Sequence, residues 1–226
     1  LKNRYESLEN KYDKFLAGNY DYKANTYETN KINLLSNPTS LYTKQPTVYY
    51  GLMYLAKNAK KEVKIHTPYI ICNDYMYNEL KNIKVPTTIM TNSAENNGNI
   101  FGAVDYLNHK KDIINTGVTI KEYEGGISYH GKSMTIDDDI AIVGSFNMDM
   151  RSAYIDTELM LVINSKNINK QLKASMEEYE KKAATVKNET EYSHIPEGMK
   201  MKELSDKKKN IKAWFGWAMN GLRFLF

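Results

Sequence analysis

"YHGKSMTIDDDIAIVGSFNMD", residues 129–149, holds two short apolar runs separated by three consecutive aspartates. The runs KSMTID and IAIVGS have the length and β-branched content of strands, so we predict a hairpin with an acidic turn. Side chains at i and i+2 of a strand point to the same side, so His130 and Lys132 should project together. The returning strand then brings Ser145 and Asn147 beside them. The stretch therefore predicts a cluster of polar side chains at one end of a hairpin.

The segments on either side of the hairpin alternate between helix-like and strand-like patterns. Alternating elements of this kind favour a parallel or mixed sheet with helices packed on its faces. We therefore predict an α/β fold in which a mixed β-sheet is sandwiched between helices. The predicted helices cover 47–60, 73–83, 102–117 and 167–186, and the further strands cover 62–70, 85–93, 118–124 and 158–164.

Composition divides the chain into four expected parts. Residues 1–46 are polar and rich in Tyr, Asn and Lys, which predicts a connecting segment. Residues 47–186 carry the periodic patterns and form the expected folded domain. Residues 187–210 indicate a polar linker, and residues 211–226 an aromatic amphipathic tail. Because the first residue is Leu1 and not methionine, we expect a processed chain or a fragment of a longer one.

Composition also limits the possible functions. The formal net charge of the 226 residues is only +4, which disfavours nucleic acid as a partner but suits an anionic substrate or membrane surface. Cys72 is the single cysteine, so an intramolecular disulfide is impossible. Neither a CxxC nor an HExxH spacing occurs, and we predict no metal or other cofactor.

The residue types of the hairpin suit phosphodiester chemistry. Lys132 and Asn147 can neutralise and hydrogen-bond non-bridging phosphate oxygens, most strongly in the charged transition state. His130 can attack phosphorus or protonate the leaving oxygen. A histidine in this role needs an orienting acceptor, for which Glu158 on the next strand is the candidate. The alternative is that the stretch is simply two strands joined by an acidic turn.

At these residues the chain resembles the phospholipase D superfamily, whose signature HxKx4Dx6GSxN, the HKD motif, is matched completely. The flanking GSFNMDMRSAYIDTELMLVI is similar to the corresponding segment of bacterial cardiolipin synthases, with Asp149, Arg151, Ser152 and Glu158 all matching. Asp156 stands where that family usually has asparagine, which puts one secondary polar contact in doubt.

The resemblance covers roughly residues 47–165 and is to the second half of a two-motif enzyme. VKIHTPYI, TIMTNSAENN and DYLNHKKDIINTGVTIKEYE also have counterparts in the family. The resemblance implies a phospholipase D-like half that needs no metal. It also implies a set of catalytic residues and a set of structural residues. The catalytic set is His130, Lys132, Asn147, Ser145 and Glu158, and the structural set is Asp137, Gly144, Asp149 and Arg151.

The resemblance further implies two motifs that meet across a pseudo-two-fold axis. One histidine forms a phosphohistidine, and the other protonates the leaving alcohol. The upstream motif usually supplies the nucleophile, which makes His130 the general acid and later the base. This chain has one motif, because His66, His109 and His194 lack its other residues and are interpreted as structural or surface histidines. The second HKD half is then upstream in the same protein or a homodimer mate, unless the chain binds without catalysing.

The end of the chain joins lysines 207–209 to an aromatic stretch that includes Trp214, Phe215 and Trp217. A polybasic run beside aromatic residues is typical of a membrane-surface contact. The alternative is that these aromatic residues dock on the domain as ordinary core. The tail is too short to span a bilayer, so we expect peripheral association with the bacterial cytoplasmic membrane.

Taken together, the sequence predicts a phosphatidyltransferase of cardiolipin synthase type, with phosphatidylglycerol as the expected phospholipid substrate. Two alternatives in the same superfamily stay open, a phospholipase D-type phosphodiesterase and a single-motif homodimeric nuclease. A third alternative is a non-catalytic membrane-binding module.

Overall fold

The computed structural model describes residues 21, 23–39, 42, 44–215 and 221–225. The strands are β1 (Lys31–Ser36), β2 (Val63–His66), β3 (Ile70–Ile71), β4 (Thr87–Asn92), β5 (Thr119–Tyr123), β6 (Ser133–Ile136), β7 (Ile140–Gly144), β8 (Met148–Asp149), β9 (Leu159–Asn164), β10 (Ala183–Val186) and β11 (Tyr192–His194). The helices are α1 (Thr47–Lys57), α2 (Asp74–Lys81), α3 (Ile100–Ile114), α4 (Met150–Tyr154), α5 (Lys166–Glu180) and α6 (Asp206–Phe215), followed by a 3₁₀ turn at Arg223–Leu225.

Nine of these strands form one mixed sheet in the order β1-β9-β7-β6-β2-β4-β5-β10-β11. The pairs β2–β4 and β4–β5 are parallel, and the remaining neighbours are antiparallel. β3 and β8 form a separate parallel pair. The predicted mixed sheet is confirmed, and the predicted hairpin is the β6–β7 pair at its centre.

Helices cover both faces of the sheet. On one face, apolar side chains of α1, α2 and α3 pack against alternate strand residues such as Ile65, Ile142 and Met160 to form the main core. The intervening residues of β7 and β9 face α5, where Val143 lines a small cavity together with Leu172. This alternation follows from the period of two along a strand. The predicted sandwich of helices around the sheet is therefore confirmed.

Three elements differ from the sequence expectations. The expected connecting segment supplies β1, an edge strand that pairs antiparallel with β9. The fourth helix ends at Glu180, six residues earlier than predicted, and the alanine-rich continuation becomes β10 against β5. The expected linker contains β11 and the first turns of α6. In each case backbone pairing or packing with a distant segment overrides local propensity.

Candidate active site

His130 and Lys132 lie directly before β6, at the edge of the sheet where β7 ends. The ammonium nitrogen of Lys132 lies 2.9 Å from Nδ1 and 3.3 Å from Nε2 of His130, and it donates to the His130 carbonyl at 3.0 Å. The amide of Gly144 donates to the Lys132 carbonyl at 3.2 Å, which continues the hairpin ladder one step beyond β6. The structure therefore brings the imidazole and the ammonium together beside the end of β7.

Gly144 ends β7 where two strands approach closely. A Cβ atom at this position would lie 2.1 Å from the carbonyl oxygen of Leu159, which no side chain tolerates. The next residue, Ser145, donates its amide to that same carbonyl at 2.9 Å and accepts the Leu159 amide on Oγ at 3.0 Å. Its hydroxyl donates to Glu158. Glycine here thus permits the approach that places the Ser145 hydroxyl.

Asn147 is held by Ser152, a residue of α4 that was not among the predicted site residues. The backbone amide and the side-chain Nδ2 of Asn147 each lie 3.3 Å from the Ser152 hydroxyl. That hydroxyl donates to Glu158 at 2.8 Å, and the Ser152 amide donates to Asp149 at 2.5 Å. Oδ1 of Asn147 is buried and has no hydrogen-bond partner among the residues that the structure describes.

Glu158 takes a different place from the one predicted. Its carboxylate accepts from Ser145 and Ser152, and no hydrogen bond among the described residues joins it to His130. The reason is positional, since Glu158 precedes β9 and faces the end of β7. The predicted contact with His130 is therefore wrong in this structure. Glu158 instead accepts hydrogen bonds from the hydroxyls of Ser145 and Ser152, which lie on either side of Asn147 in the sequence.

The charged groups of the site influence one another. Burial lowers the pKa of His130, and the charge of Lys132 lowers it further. Burial also lowers the pKa of Lys132, against the attraction of Glu158 and Asp149. Burial raises the pKa of Asp149 to about 7, against the hydrogen bonds from Ser152. The imidazole is thus neutral near pH 7, with a cation beside it.

Asp137 lies at the turn between β6 and β7, at the opposite end of β6 from Lys132. Its backbone is left-handed, with φ of 51°. Its carboxylate accepts the backbone amides of Lys60, Lys61 and Glu62 at 2.7 to 3.2 Å. Burial opposes ionisation, but these amide hydrogen bonds lower the pKa of Asp137. The geometry fits a residue that joins the turn to the loop before β2.

Arg151 pairs with the residue that departs from the family pattern. Its Nε lies 3.0 Å and 3.2 Å from the two carboxylate oxygens of Asp156, and its Nη1 donates to the Leu225 carbonyl at 3.4 Å. Asp156 therefore replaces an expected amide contact with an ion pair. The arginine also touches the end of the tail.

The other histidines occupy separate environments. His66 is buried against Glu180 with Nε2 at 3.2 Å from the carboxylate, His109 pairs with Asp112 on α3, and His194 is exposed on β11. In the described part of the chain, no group of three or more His, Cys, Asp or Glu side chains is arranged to hold a metal ion.

Two cavities meet at His130. One, of about 560 Å³, lies between the loop before β6 and α5 and includes Tyr129, Met176 and Tyr179 in its lining. The other, of about 420 Å³, is bounded by Tyr69 and by the loop before α3. A substrate with its phosphate at His130 therefore has room on both sides of the imidazole.

The part of the chain from residue 52 to residue 179 matches the family model described as "Cardiolipin synthase, PLD-like domain". Cardiolipin synthase 1 of Staphylococcus epidermidis is 30% identical over 159 residues, which cover 69% of this chain and 32% of that protein. Cardiolipin synthase 1 of Staphylococcus aureus strain COL is 29% identical over 159 residues, with 69% and 31% covered. The chain thus spans about a third of the length of these relatives.

Two solved structures share the fold. The phospholipase D family member Nuc from Salmonella typhimurium superposes with a TM-score of 0.55 at 16% identity, covering 69% of this chain and 97% of that one. The phosphatidylserine synthase of Haemophilus influenzae Rd KW20 gives a TM-score of 0.63 at 16% identity, covering 86% and 48%. At these identities the similarity establishes the fold.

Proposed function

The chain belongs to the phospholipase D-like domain family of cardiolipin synthases, and we propose that it is one catalytic half of a phosphatidyltransferase. Its substrate is a phospholipid phosphodiester, with phosphatidylglycerol as donor. The observation that carries the proposal is the grouping of His130 and Lys132 at the end of the hairpin that also presents Ser145 and Asn147. The division of the chain into a half-domain with flanking segments is part of the same proposal.

The chemistry divides between two histidines. In the first step a ring nitrogen of one histidine attacks phosphorus, the bond from phosphorus to the leaving alcohol breaks, and the other histidine gives its proton to that oxygen. In the second step an incoming alcohol gives its proton to the now neutral histidine and displaces the phosphohistidine. The ammonium of Lys132 stabilises the charge on the non-bridging oxygens.

His130 fits the second of these histidines once its ring is protonated. Its lowered pKa keeps the free ring neutral, and a bound phosphodiester anion shifts the balance toward the imidazolium. A phosphohistidine trapped on His130 by rapid quenching would assign it the nucleophilic role instead. Asp137, Gly144, Asp149 and Arg151 support the site without touching the phosphate in this account.

The second motif is supplied by another phospholipase D-like unit, either in the same protein or in a second chain. An apolar strip on the α5 face of the sheet supports this part of the proposal. The strip consists of Ile32, Leu34, Val143, Leu159 and Leu161, of which Leu161 is partly buried and the others exposed. Leu161 lies directly opposite both Leu34 and Val143 in the antiparallel register, so these side chains share one face.

This strip runs up to the site. Ser145 follows directly after β7, two residues beyond Val143. Its amide bonds the carbonyl of Leu159, which is itself part of the strip. A unit that covers the strip would stand directly over the half-site, where its own histidine is needed.

The tail is proposed to contact the membrane surface. Trp214 is 78% exposed, and Leu222, Phe224 and Leu225 are also exposed. Trp217 and the side chain of Phe215 lie outside the described residues. Within the described part of the chain, no helix has the length and apolar character needed to cross a bilayer. We place the protein peripherally on the bacterial cytoplasmic membrane.

The products distinguish this function from hydrolysis. The full protein that carries this chain and its second motif is incubated with phosphatidylglycerol vesicles, and lipids and free glycerol are quantified by mass spectrometry. Two phosphatidylglycerol molecules should yield one cardiolipin and one glycerol. Phosphatidic acid with no cardiolipin would contradict the transferase and indicate a phosphodiesterase.

A further inference from the structure

The backbone next to His130 is clamped by a buried asparagine at the end of β4. Asn92 is 1% exposed. Its Oδ1 accepts the amide of Tyr129 at 2.8 Å, and its Nδ2 donates to the carbonyl of Tyr129 at 2.9 Å and to that of Pro68 at 2.8 Å. Because Tyr129 directly precedes His130, its two hydrogen bonds with Asn92 fix the backbone from which the His130 side chain extends.

The loop after β4 extends the clamp. Nδ2 of Asn96 donates to Oδ1 of Asn92 at 3.1 Å and to the carbonyl of Ile127 at 3.2 Å. The amide of Gly98 donates to the hydroxyl of Ser128 at 3.1 Å. Residues 92–98 and 127–129 therefore form one hydrogen-bonded unit that carries His130.

This unit is held from outside by Lys208 in the first turn of α6. Its ammonium donates to the backbone carbonyls of Ala94 at 2.8 Å, Glu95 at 2.5 Å and Asn97 at 3.0 Å. A lysine ammonium has three donors, so all of them are used. The carboxylate of Glu95 also accepts the amide of Ser205 at 2.9 Å. The start of α6 is thus bonded to the loop at several points.

Lys208 differs from its neighbours in the lysine run. It is 7% exposed, whereas Lys207 and Lys209 are exposed. Burial of an ammonium is costly unless its donors are satisfied, and burial indeed lowers the pKa of Lys208. The reading of this lysine as a membrane contact is therefore wrong, because its ammonium points into the protein.

We infer that Lys208 is a positioning residue: by tying α6 to the loop after β4, it holds the Asn92–Tyr129 clamp and thereby His130. Docking of α6 is then a condition for an ordered site, and α6, which includes the first residues of the tail, is connected through this loop to the catalytic histidine. Only the catalytic consequence rests on the proposed function, since the ordering of the loop is a property of this chain alone.

The test compares Lys208→Met with Lys209→Met in the 226-residue chain. The two variants lose the same charge from adjacent positions of one helix. Hydrogen exchange followed by mass spectrometry should show at least tenfold faster exchange of residues 92–98 and 127–131 in Lys208→Met, and exchange within twofold of wild type in Lys209→Met. The ring ¹H–¹⁵N signals of His130 should shift or broaden only in Lys208→Met. Unchanged exchange at 127–131 and unchanged ring signals in a folded Lys208→Met would overturn the inference.

A milder variant covers the case in which Lys208→Met does not fold. Glu95→Gln weakens the Ser205 contact and removes the carboxylate that lies 3.7 Å from the Lys208 ammonium, but it keeps the three carbonyls. It should speed exchange in the same two segments by a smaller factor, and wild-type exchange there would count against the inference.

Activity provides a separate readout. In the full protein, Lys208→Met should lower kcat about tenfold with little change in KM, because the site is misplaced while the lipid-binding surface is kept. If the wild-type protein makes no cardiolipin but the exchange results hold, the proposed function fails and the positioning role stands. If cardiolipin is made and Lys208→Met has wild-type kcat, the positioning role fails alone.

Discussion

At the scale of single residues, the contact between His130 and Lys132 sets the chemistry. The two groups lie within hydrogen-bonding distance, and burial lowers the pKa of each. A neutral His130 ring beside the Lys132 ammonium suits the binding of an anionic phosphodiester, because the negative charge of the substrate compensates the positive charge of the lysine. The i, i+2 spacing is sufficient to predict this neighbourhood from the sequence.

The close approach at Gly144 gives a stability prediction. Gly144→Ala forces a methyl group against the carbonyl of Leu159, so we expect a loss of about 3 kcal/mol in the free energy of unfolding. Gly98→Ala is the matched control, since its methyl would meet Ser128 at an ordinary 3.5 Å. Chemical denaturation of both variants measures the difference. Equal stabilities would show that the strands move apart at little cost.

Asp149 gives a prediction on pH. It is 1% exposed, and burial raises its pKa to about 7, above the roughly 3.9 of an unfolded chain. The folded state therefore binds the extra proton, and this stabilisation is complete below about pH 4 and is lost as the pH rises through 7. Asp149→Asn keeps a helix-capping oxygen but cannot ionise.

The difference in unfolding free energy between Asp149→Asn and wild type should therefore shift in favour of the variant by at least about 1.4 kcal/mol when the pH is raised from 5 to 8. This value is the equivalent of one pKa unit. Urea denaturation at the two pH values measures this gain. A stability difference that is the same at both would mean that Asp149 ionises freely in the folded protein.

At the scale of elements, the β6–β7 hairpin depends on Asp137. Asp137→Ala leaves three backbone amides without their charged acceptor, and we expect a loss of about 2 kcal/mol in unfolding free energy. Because the pKa of Asp137 is lowered, this contribution is present above the unfolded pKa and disappears as the pH falls through the folded value. Thermal unfolding of wild type and Asp137→Ala at pH 7 and at pH 3 measures this contribution.

Asp139→Ala is the control, because the same turn loses a carboxylate that makes no such set of contacts with the described residues. It should cost less than half as much. Equal losses in the two variants would assign the effect to the charge of the turn and not to the amide contacts of Asp137.

The elements themselves were predictable where the pattern is local. The strands of the hairpin, β9 and helix α2 all follow from short segments of sequence. β1 does not follow from its own sequence, because it is an edge strand that is held by pairing with the distant strand β9. β10 was missed because its alanines favour a helix and only pairing with β5 makes them a strand.

At the scale of the whole molecule, the unpredicted features are contacts between distant segments. Lys208 reaches a loop more than one hundred residues earlier, and nothing in the lysine run distinguishes it from its neighbours. Glu158 lies in the predicted neighbourhood, but its partners Ser145 and Ser152 depend on how α4 returns to the sheet. The composition of the site follows from the motif, whereas its hydrogen bonding follows from the fold.

The apolar strip gives a prediction on assembly. The double variant Ile32→Lys/Leu34→Lys places two charges on the strip, where Leu34 is 61% exposed, and should weaken association with a second phospholipase D-like unit at least tenfold. Sedimentation of the chain alone, and with a separately produced unit carrying the second motif, measures this.

Tyr50→Lys/Tyr54→Lys is the matched control, since these two tyrosines are exposed on α1, which packs on the other face of the sheet. It should leave the association unchanged. Equal association of the strip variant and wild type would contradict this placement of the second unit. So would the absence of any association in both sedimentation experiments.

The most direct test of the account is the turnover of His130→Ala in the full protein. Loss of the ring should reduce cardiolipin formation from phosphatidylglycerol by about 10²- to 10⁴-fold, with folding and vesicle binding retained. His194→Ala, which removes an exposed histidine on β11, should have wild-type turnover. Wild-type turnover in His130→Ala would contradict the assignment of this half-site to the reaction.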